Sequence, residues 1–235
     1  MHFAREGLRE MTVATLVMGG LTALSLWMYK PAAVLSVALW VFVMAFFRDP
    51  RRMKLFARGE LCAPADGKVT EITYLDHHED IGGPAIRIGI FLSIFSVHAN
   101  RSPCRGRVRS ITYAPGRFLD ARHPDSGQSN ACNMLILDPN PPVTGPIIVR
   151  QIAGLIARRI VCNAVVGEDL MIGQRFGMIK FGSRTELILP NRTDSQIKAW
   201  IGQTVRAGIT VVAVQRPVLI RGDSHDTHRK IGQPA

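Results

Sequence analysis

The chain has 235 residues, enough for one large domain or two small ones, and 47% of them are hydrophobic. Lysine and arginine number 29 against 18 acidic residues, so the formal net charge is +11, which suits nucleic acid, an anionic membrane or an anionic substrate as partner. Only 7% of the residues are aromatic, and no stretch alternates aromatic with basic side chains as single-strand-binding proteins do, so a nucleic-acid partner is not expected.

The first 54 residues are predicted to form a helical segment that associates with a membrane. Residues 11–29 contain no charged side chain, and after Lys30 and Pro31 the same holds for residues 32–47. As helices these runs would be roughly 28 Å and 24 Å long. The hydrocarbon core of a bilayer is about 30 Å thick, so the first run is long enough to span it and the second is marginal. Two arrangements fit, a helical hairpin or one long helix kinked at Pro31.

A cluster of basic residues follows the second apolar run at once. Positively charged segments next to membrane helices tend to stay in the cytoplasm. The sequence therefore predicts a protein of the cell membrane whose following domain, residues 55–235, lies on the cytoplasmic side. The cluster consists of Arg48, Arg51, Arg52, Lys54 and Arg58.

Residues 55–235 are predicted to form a β-rich domain. Short apolar or alternating runs, separated by Gly, Pro and Asp, are typical of strands joined by tight turns. Residues 155–162 fit either a strand or a short helix. The five clearest strand candidates are residues 68–74, 85–91, 107–113, 133–137 and 147–152.

An internal repeat lies near the end of this domain. Residues 169–177 and 198–208 both contain an apolar residue followed by Gly-Gln, then a further glycine and an apolar run. The pattern resembles the hairpins of barrel-sandwich hybrid domains, such as lipoyl and biotinyl carriers. We therefore expect a mainly β, barrel-sandwich-hybrid-like fold. Lys180 lies in an apolar run and lacks the setting of a carrier lysine, so a carrier function is the second hypothesis.

The cysteines and histidines give no sign of a metal site. The four cysteines, at positions 62, 104, 132 and 162, lie far apart and form no C-x-x-C pair, which favours reduced thiols. The polar cluster at residues 77–80 begins with two histidines. Adjacent side chains point to opposite sides of an extended chain, so a solvated loop is the preferred interpretation.

Three stretches carry residues capable of chemistry. Asp66 stands in a Pro-Ala-Asp-Gly sequence that is typical of a turn, and His98 ends an apolar run where a general base would face a cleft. Ser183 follows Gly182 between two apolar runs. Together they supply a carboxylate, an imidazole and a hydroxyl, the set that orients a base and activates a weak nucleophile. The sequence does not show whether the three meet in space.

Six motifs in a fixed order give the chain a specific resemblance. Over almost its full length it resembles short-form phosphatidylserine decarboxylase proenzymes. The motifs are Phe-Phe-Arg-Asp-Pro at 46–50, Ala-Asp-Gly at 65–67, Val-His-Ala-Asn-Arg at 97–101, Pro-Gly-Arg-Phe at 115–118, Gln-Ile-Ala-Gly at 151–154 with Ala-Arg-Arg-Ile-Val at 157–161, and Gly-Gln-Arg-Phe-Gly at 173–177 leading to Phe-Gly-Ser-Arg at 181–184.

This resemblance implies a self-processing enzyme. Asp66 would orient His98, and His98 would activate the Ser183 hydroxyl to attack the Gly182 carbonyl. The products would be chains 1–182 and 183–235, with a pyruvoyl group replacing Ser183 as the cofactor and no metal. The pyruvoyl carbonyl would form a Schiff base with the serine head group of a phospholipid, release carbon dioxide and leave an ethanolamine head group. The partners would be this lipid and the membrane, and a homo-oligomer is compatible with the sequence.

The substrate contacts are less well defined by the resemblance. Arg101, Arg117 and Arg184 are candidates for binding the phosphate or carboxylate of the head group. Some long-form relatives carry a second histidine three residues before the catalytic one, where this chain has Phe95. Short-form relatives also tend to have Glu and Arg between two asparagines, where this chain has Ala and Cys at positions 131 and 132.

Two other functions remain compatible with the residues. One is a non-enzymatic, membrane-anchored barrel-sandwich module that binds a partner or carries a prosthetic group. The other is a membrane-tethered serine hydrolase that uses Asp66, His98 and Ser183 on external substrates. Both predict an intact chain, whereas the decarboxylase predicts two chains.

Overall fold

The computed structural model describes residues 2–120, 126–155, 159–180 and 183–215. They form a mainly β structure with an N-terminal pair of helices, which confirms the predicted fold class. The helices are α1 (Leu8–Met28), α2 (Lys30–Phe46) and α3 (Ser126–Ser129), with a short 3₁₀ helix at Arg5–Gly7. The strands are β1 (His2–Phe3), β2 (Arg48–Asp49), β3 (Glu60–Cys62), β4 (Gly67–His78), β5 (Gly83–Leu92), β6 (Ala99–Arg101), β7 (Gly106–Ala114), β8 (Cys132–Pro139), β9 (Ile147–Ile152), β10 (Ile160–Cys162), β11 (Asp169–Leu170), β12 (Arg175–Ile179), β13 (Ser183–Pro190), β14 (Ser195–Ile197), β15 (Thr204–Val205) and β16 (Val211–Gln215).

Helices α1 and α2 form an antiparallel hairpin, not one kinked helix. Tyr29 has extended backbone angles (φ −156°, ψ 91°) and separates them, and the proline at position 31 lies in the first turn of α2, where its missing N–H costs nothing. The Thr22 and Ser36 hydroxyls are 2.7 Å apart across the hairpin. Closer to its base, the Trp40 indole N–H donates to the Thr15 hydroxyl over 3.0 Å.

The hairpin suits a membrane by length and composition. Residues 5–28 form one segment that is long and apolar enough to cross a bilayer, and α2 is a shorter apolar helix. The outward-facing apolar side chains of both helices, such as Leu16 and Val34, are exposed. A membrane would remove this surface from water. The cytoplasmic orientation and the boundary between residues 54 and 55 stay predictions.

The main sheet has eight antiparallel strands in the order β11-β7-β8-β9-β13-β5-β4-β15. The five predicted strands lie in β4, β5, β7, β8 and β9, so those predictions are confirmed. Ile86, Ile88 and Ile90 alternate along β5 and all belong to the main core, as the two-residue period of a strand requires. Of residues 155–162, positions 160–162 form β10, and positions 156–158 lie outside the described residues.

Two three-stranded sheets, β10-β12-β6 and β14-β16-β3, complete the domain. The internal repeat corresponds to one turn that occurs twice. Gly173 and Gly202 both have positive φ, 76° and 92°, a conformation that favours glycine. In each turn the following glutamine accepts a backbone N–H through its side-chain oxygen, at 2.9 Å from Met171 and 3.3 Å from Trp200. The repeated Gly-Gln therefore encodes local turn geometry.

The base of the hairpin packs on the sheet that contains β12. Phe46 and Phe47 are buried against Met178 of β12. Strand β1 pairs with β2, and the Ala4 N–H donates to the Phe47 carbonyl at 2.8 Å. The membrane segment is thus joined to the β domain by both a core contact and backbone hydrogen bonds.

Ion pairs reinforce this junction close to the predicted cleavage site. The buried Lys180 ammonium lies 2.6 Å from the Glu10 carboxylate of α1 and donates to the Glu6 carbonyl at 2.9 Å. Arg175 also pairs with the Glu6 carboxylate. Lys180 is two residues before Gly182, so the hairpin holds the chain where it approaches the Gly-Ser bond.

The cysteines and the histidine pair fit structural roles. All four cysteines are free, and burial raises the pKa of the Cys62 thiol to about 12. His77 and His78 end β4, which is a strand and not the expected loop, while positions 79 and 80 form the hairpin turn. Among the residues that the structure describes, no group of three or more His, Cys, Asp or Glu side chains is placed to hold a metal ion.

Candidate active site

Asp66 is held immediately before β4 begins. Gly67 has φ +155°, and a Cβ on it would lie 2.0 Å from the Phe91 carbonyl oxygen, so the close approach of β4 to β5 requires glycine. The Asp66 carboxylate accepts hydrogen bonds from both terminal nitrogens of Arg52, one of them at 2.6 Å, and from the Ala207 N–H at 2.8 Å. Asp66 is therefore a rigidly placed negative charge whose direct partners are Arg52 and the backbone.

His98 is fully buried just before β6. Its carbonyl accepts the Ile179 N–H at 3.2 Å, and its ring lies 4.3 Å from the Phe46 ring, centroid to centroid. His98 Nδ1 is 2.9 Å from the Ser96 carbonyl oxygen. A carbonyl can only accept a hydrogen bond, so Nδ1 carries the proton and Nε2 carries the lone pair of a base. The orienting role expected of Asp66 stays a prediction.

The surroundings keep the His98 ring neutral at physiological pH. Burial lowers the pKa of His98 to about 4, against the opposing effect of the Ser96 carbonyl. The Arg48 charge lowers the pKa further, and the negative charge of Asp66 raises it. Asp66 therefore acts on His98 through its charge, and the ring is in the unprotonated form that a general base needs.

Ser183 is the first residue of β13 and pairs with Leu92 of β5. It is fully buried, and the two-residue period of the strand places it on the same face as Thr185 and the core residue Leu187. Its Oγ has no hydrogen-bond partner among the described residues. A buried polar atom without a partner costs about 1–3 kcal/mol, which points to a functional hydroxyl. Gly182, the other half of the predicted cleavage site, lies outside the described residues.

The strand register brings Asp66 and Ser183 to the same end of the main sheet, and His98 lies in the connection between β5 of that sheet and β6 of the neighbouring one. The first residues of β4 and β13 pair with the same end of β5, on its opposite sides, and five residues separate the end of β5 from His98. Two strand spacings separate Asp66 from Ser183, about 10 Å between backbones. In the described residues, neither Asp66 nor His98 makes a hydrogen bond to Ser183 Oγ. The roles of Ser183 as nucleophile and of His98 as base stay predictions.

Comparison with known proteins identifies the family of this chain. The family model described as phosphatidylserine decarboxylase matches residues 39–213. A phosphatidylserine decarboxylase proenzyme from Rhodopirellula baltica is 45% identical over 214 residues, which cover 91% of this chain and 88% of the relative. The chain belongs to the phosphatidylserine decarboxylase family. The resemblance inferred from the six motifs is confirmed, and the chain length is consistent with the short-form type.

In this member of the phosphatidylserine decarboxylase family, a chain of buried polar side chains supports the Ser183 strand. Asn100 Nδ2 donates to the Thr185 hydroxyl at 3.1 Å, and Gln151 Nε2 donates to Asn100 Oδ1 at 2.9 Å. Asn133 Nδ2 donates to Gln151 Oε1 at 2.9 Å. None of these three residues is among the site residues predicted from the sequence. The available signal was a polar residue inside an apolar strand, as for Gln151 in β9, and the two-residue spacing between His98 and Asn100.

Replacing Asn100 with alanine is expected to destabilise the protein and to slow processing. The change leaves the Thr185 hydroxyl and the Gln151 amide buried without their partners, at a cost of about 2–4 kcal/mol. Thermal unfolding in detergent, together with the rate of precursor loss on gels, measures both effects. Asn191→Ala, an exposed asparagine, is the matched control. Unchanged stability of Asn100→Ala would contradict the role of this polar chain.

The candidate substrate arginines are mostly engaged in ion pairs of the fold. Arg101 lies 2.5 Å from Asp49 and donates to the Gly173 carbonyl at 3.1 Å. Arg184 lies 2.5 Å from Glu71 and 2.9 Å from Glu186. The structure therefore gives Arg101 and Arg184 partners of their own, and their substrate role stays a prediction.

Glu71, the carboxylate partner of Arg184, has a lowered pKa, as expected for an acid in an ion pair. Burial by itself would raise the pKa of Glu71, but hydrogen bonds from Thr73, Arg184 and Arg87 lower it to about 2. Arg117, the third candidate, is exposed beside Asn130 and also keeps its substrate role as a prediction.

The structure shows the surroundings of Phe95 and of the uncharged residues at positions 131 and 132, where this chain departs from the family pattern. Phe95 is 70% exposed and its ring contacts Phe42 of α2, with 6.0 Å between centroids. Asn130 donates through Nδ2 to the carbonyls of Leu119 and Ala153, at 2.9 and 2.8 Å. Asn130 therefore keeps a structural role without charged residues at positions 131 and 132.

The pH dependence of processing should report the depressed pKa of His98. Since only neutral His98 can accept the serine proton, we expect the cleavage rate to be flat from pH 8 to about 5.5 and to fall as pH approaches 4. Below 6.5 the unfolded chain also binds a proton that the folded chain does not, so fold stability decreases from there downward. Precursor made by cell-free translation and transferred to buffers of different pH measures the rate. A midpoint near 6.5 would contradict the inferred environment.

Proposed function

We propose that this chain is a self-processing, membrane-bound phosphatidylserine decarboxylase that converts Ser183 into its own pyruvoyl cofactor. The observation that carries the proposal is the Ser183 hydroxyl, fully buried and without a partner in the described residues, in a chain of this family. No hydrogen bond of the described fold depends on that hydroxyl. Its loss during conversion is therefore compatible with an intact structure.

Processing begins with a proton transfer from Ser183 to His98. His98 Nε2 removes the Ser183 Oγ proton, and Oγ attacks the Gly182 carbonyl carbon. The amide bond between residues 182 and 183 breaks, leaving an ester and the free amine of residue 183. Loss of the Ser183 Cα proton then breaks the Cβ–O bond and releases the Gly182 carboxylate. Addition of one water and loss of ammonia leave the pyruvoyl group.

The fold explains why cleavage would not separate the two chains. Strand β13, which starts the second chain, pairs with β5 over all its eight residues and with β9 over five. Strand β16 likewise pairs with β3 of the first chain. These ladders and the shared core hold chain 183–235 in place after the peptide bond is lost.

The same residues serve the second reaction. The pyruvoyl carbonyl supplies the electron sink that lets the carboxylate of a serine head group leave as carbon dioxide. Phe95 has no titratable atom, so His98 also holds the proton that returns to the head group. The lipid reaches this edge from the hairpin side, because Phe46 of α2 lies directly against His98.

Intact mass under denaturing conditions tests the proposal on detergent-extracted protein. We expect two species that divide between Gly182 and Ser183, the smaller one lighter than its encoded mass by one ammonia. Carbon dioxide release from phosphatidylserine vesicles should accompany them. A single species at full mass that releases no carbon dioxide would overturn the proposal, and labelling of Ser183 by a serine-directed phosphonate would then favour the hydrolase.

A further inference from the structure

A cavity lies beside the candidate active site, next to Asp66 and to Arg48 at the end of the membrane hairpin. The cavity, of about 430 Å³, opens between the start of β4 and the connection that follows β5. Its volume falls in the range of pockets that bind small ligands. Residues that contribute to its lining include Asp66, Phe95 and three cationic side chains, Arg48, Lys68 and Arg206.

The three cations of this cavity have no carboxylate partner among the described residues. Arg48 donates to two backbone carbonyls, of Ala45 at 2.7 Å and of Phe95 at 2.6 Å. The side chains of Lys68 and Arg206 are exposed and form no ion pair within the described part of the chain. Asp66, an acidic group in the lining, is already held by Arg52. The cavity therefore has an uncompensated positive charge, which favours an anionic ligand.

The mouth of the cavity lies at the level of the membrane segment. Phe95 contacts Phe42, which is one helical turn before Phe46 on α2. The neighbouring Ile94 is partly exposed as well. Two apolar side chains next to a membrane helix, above a basic cavity, match a ligand with an apolar body and an anionic head.

We propose that this cavity binds the phosphodiester of the lipid head group, with Lys68 and Arg206 contacting its oxygens and Arg48 adding positive charge. The inference rests on the proposed function and assigns the phosphate contacts to residues other than Arg101 and Arg184. Those two are occupied by acidic partners, whereas the cavity cations have no acidic partner among the described residues.

This assignment also orients the substrate. Arg48 is close enough to His98 for its charge to act on that ring. A phosphate held by the cavity cations therefore lies near the edge that carries Asp66 and Ser183. Phe91 lines the cavity, and the next residue, Leu92, pairs with Ser183, so the amine and carboxylate beyond a bound phosphate have a short path to position 183.

The test compares processed enzymes on a soluble and a membrane substrate. The double variant Lys68→Ala/Arg206→Ala should still cleave, as judged by intact mass. Each lost charge-assisted hydrogen bond is worth roughly tenfold or more in binding, so KM for monodisperse dihexanoyl phosphatidylserine should rise at least about tenfold, with kcat changed much less. The charge-conserving variant Lys68→Arg/Arg206→Lys should keep KM within about threefold of the unmodified enzyme.

Arg105→Ala is the matched control, because it removes one exposed cation outside the cavity. Binding to vesicles of phosphatidylcholine with phosphatidylglycerol separates a phosphate site from general attraction to the membrane. If the double variant loses vesicle binding while KM for the soluble lipid is unchanged, the cations serve the membrane surface and the proposal is overturned. An unprocessed, inactive unmodified chain would overturn the proposed function and this inference with it. A processed, active enzyme whose double variant keeps its KM on both substrates would overturn the phosphate site alone.

Discussion

Ser183→Ala is expected to yield one uncleaved chain of full mass with no decarboxylase activity. Without the hydroxyl, no atom of residue 183 can attack the Gly182 carbonyl. There is also no oxygen to leave Cβ in the elimination that precedes the pyruvoyl group. Since Ser183 Oγ makes no hydrogen bond in the described fold, its removal should not lower stability. Intact mass, carbon dioxide release and thermal unfolding in detergent measure the three consequences.

A control serine separates this effect from a general disturbance of the sheet. Ser110→Ala, in β7 of the same sheet, should process and decarboxylate as the unmodified chain does. Ser183→Cys retains a nucleophile at the same place and should recover part of the cleavage. Complete cleavage of Ser183→Ala at the same bond would refute the role of the hydroxyl.

His98→Ala should slow processing by a factor of about 10²–10⁴, the usual contribution of a positioned general base. The precursor should therefore dominate the purified protein. Because His98 is fully buried against Phe46, alanine also leaves a cavity, and the loss of packing needs its own measurement. Precursor half-life on gels gives the rate, and thermal unfolding gives the stability.

His98→Gln keeps most of the side-chain volume and a donor for the Ser96 carbonyl, but it has no basic nitrogen. We expect it to be more stable than the alanine variant and equally slow in processing. His77→Ala, at an exposed position of β4, should behave like the unmodified chain. Normal processing of His98→Gln would mean that another group takes the serine proton.

The candidate site was proposed from local sequence motifs, and the roles of its residues stay predictions. The motifs of the sequence indicated Asp66 and Ser183, which the fold places at the same end of the main sheet, and His98, which lies in the connection that follows β5. The surroundings of Asp66 could not be predicted from its motif. Its motif indicates a turn, but the contact with Arg52 joins residues 14 positions apart in sequence, and the Ser96 carbonyl takes the expected position beside the His98 ring.

The partners of the basic residues could not be predicted from the sequence either. Arg48, Arg52 and Arg101 look alike in sequence, yet Arg52 and Arg101 are neutralised by Asp66 and Asp49, while Arg48 faces the cavity without a carboxylate partner in the described residues. Whether an arginine supports the fold or remains available to a ligand depends on which acid the folded chain brings within about 4 Å. The amino-acid composition indicated an anionic partner, but it could not indicate which cationic side chains would bind that partner.

The sequence by itself determined the local properties of this protein: the apolar N-terminal runs, the strands of the β domain, the repeated Gly-Gln turn and the motifs of the family. These depend on side-chain periodicity and on backbone conformations encoded within a few residues. Only the tertiary structure decided that the helices form a hairpin, that His98 is buried with a lowered pKa, and that Asn100 supports the Ser183 strand. Burial, charge pairing and hydrogen-bond satisfaction depend on groups far apart in the chain, and they exist only once the strands have paired and the core has excluded water.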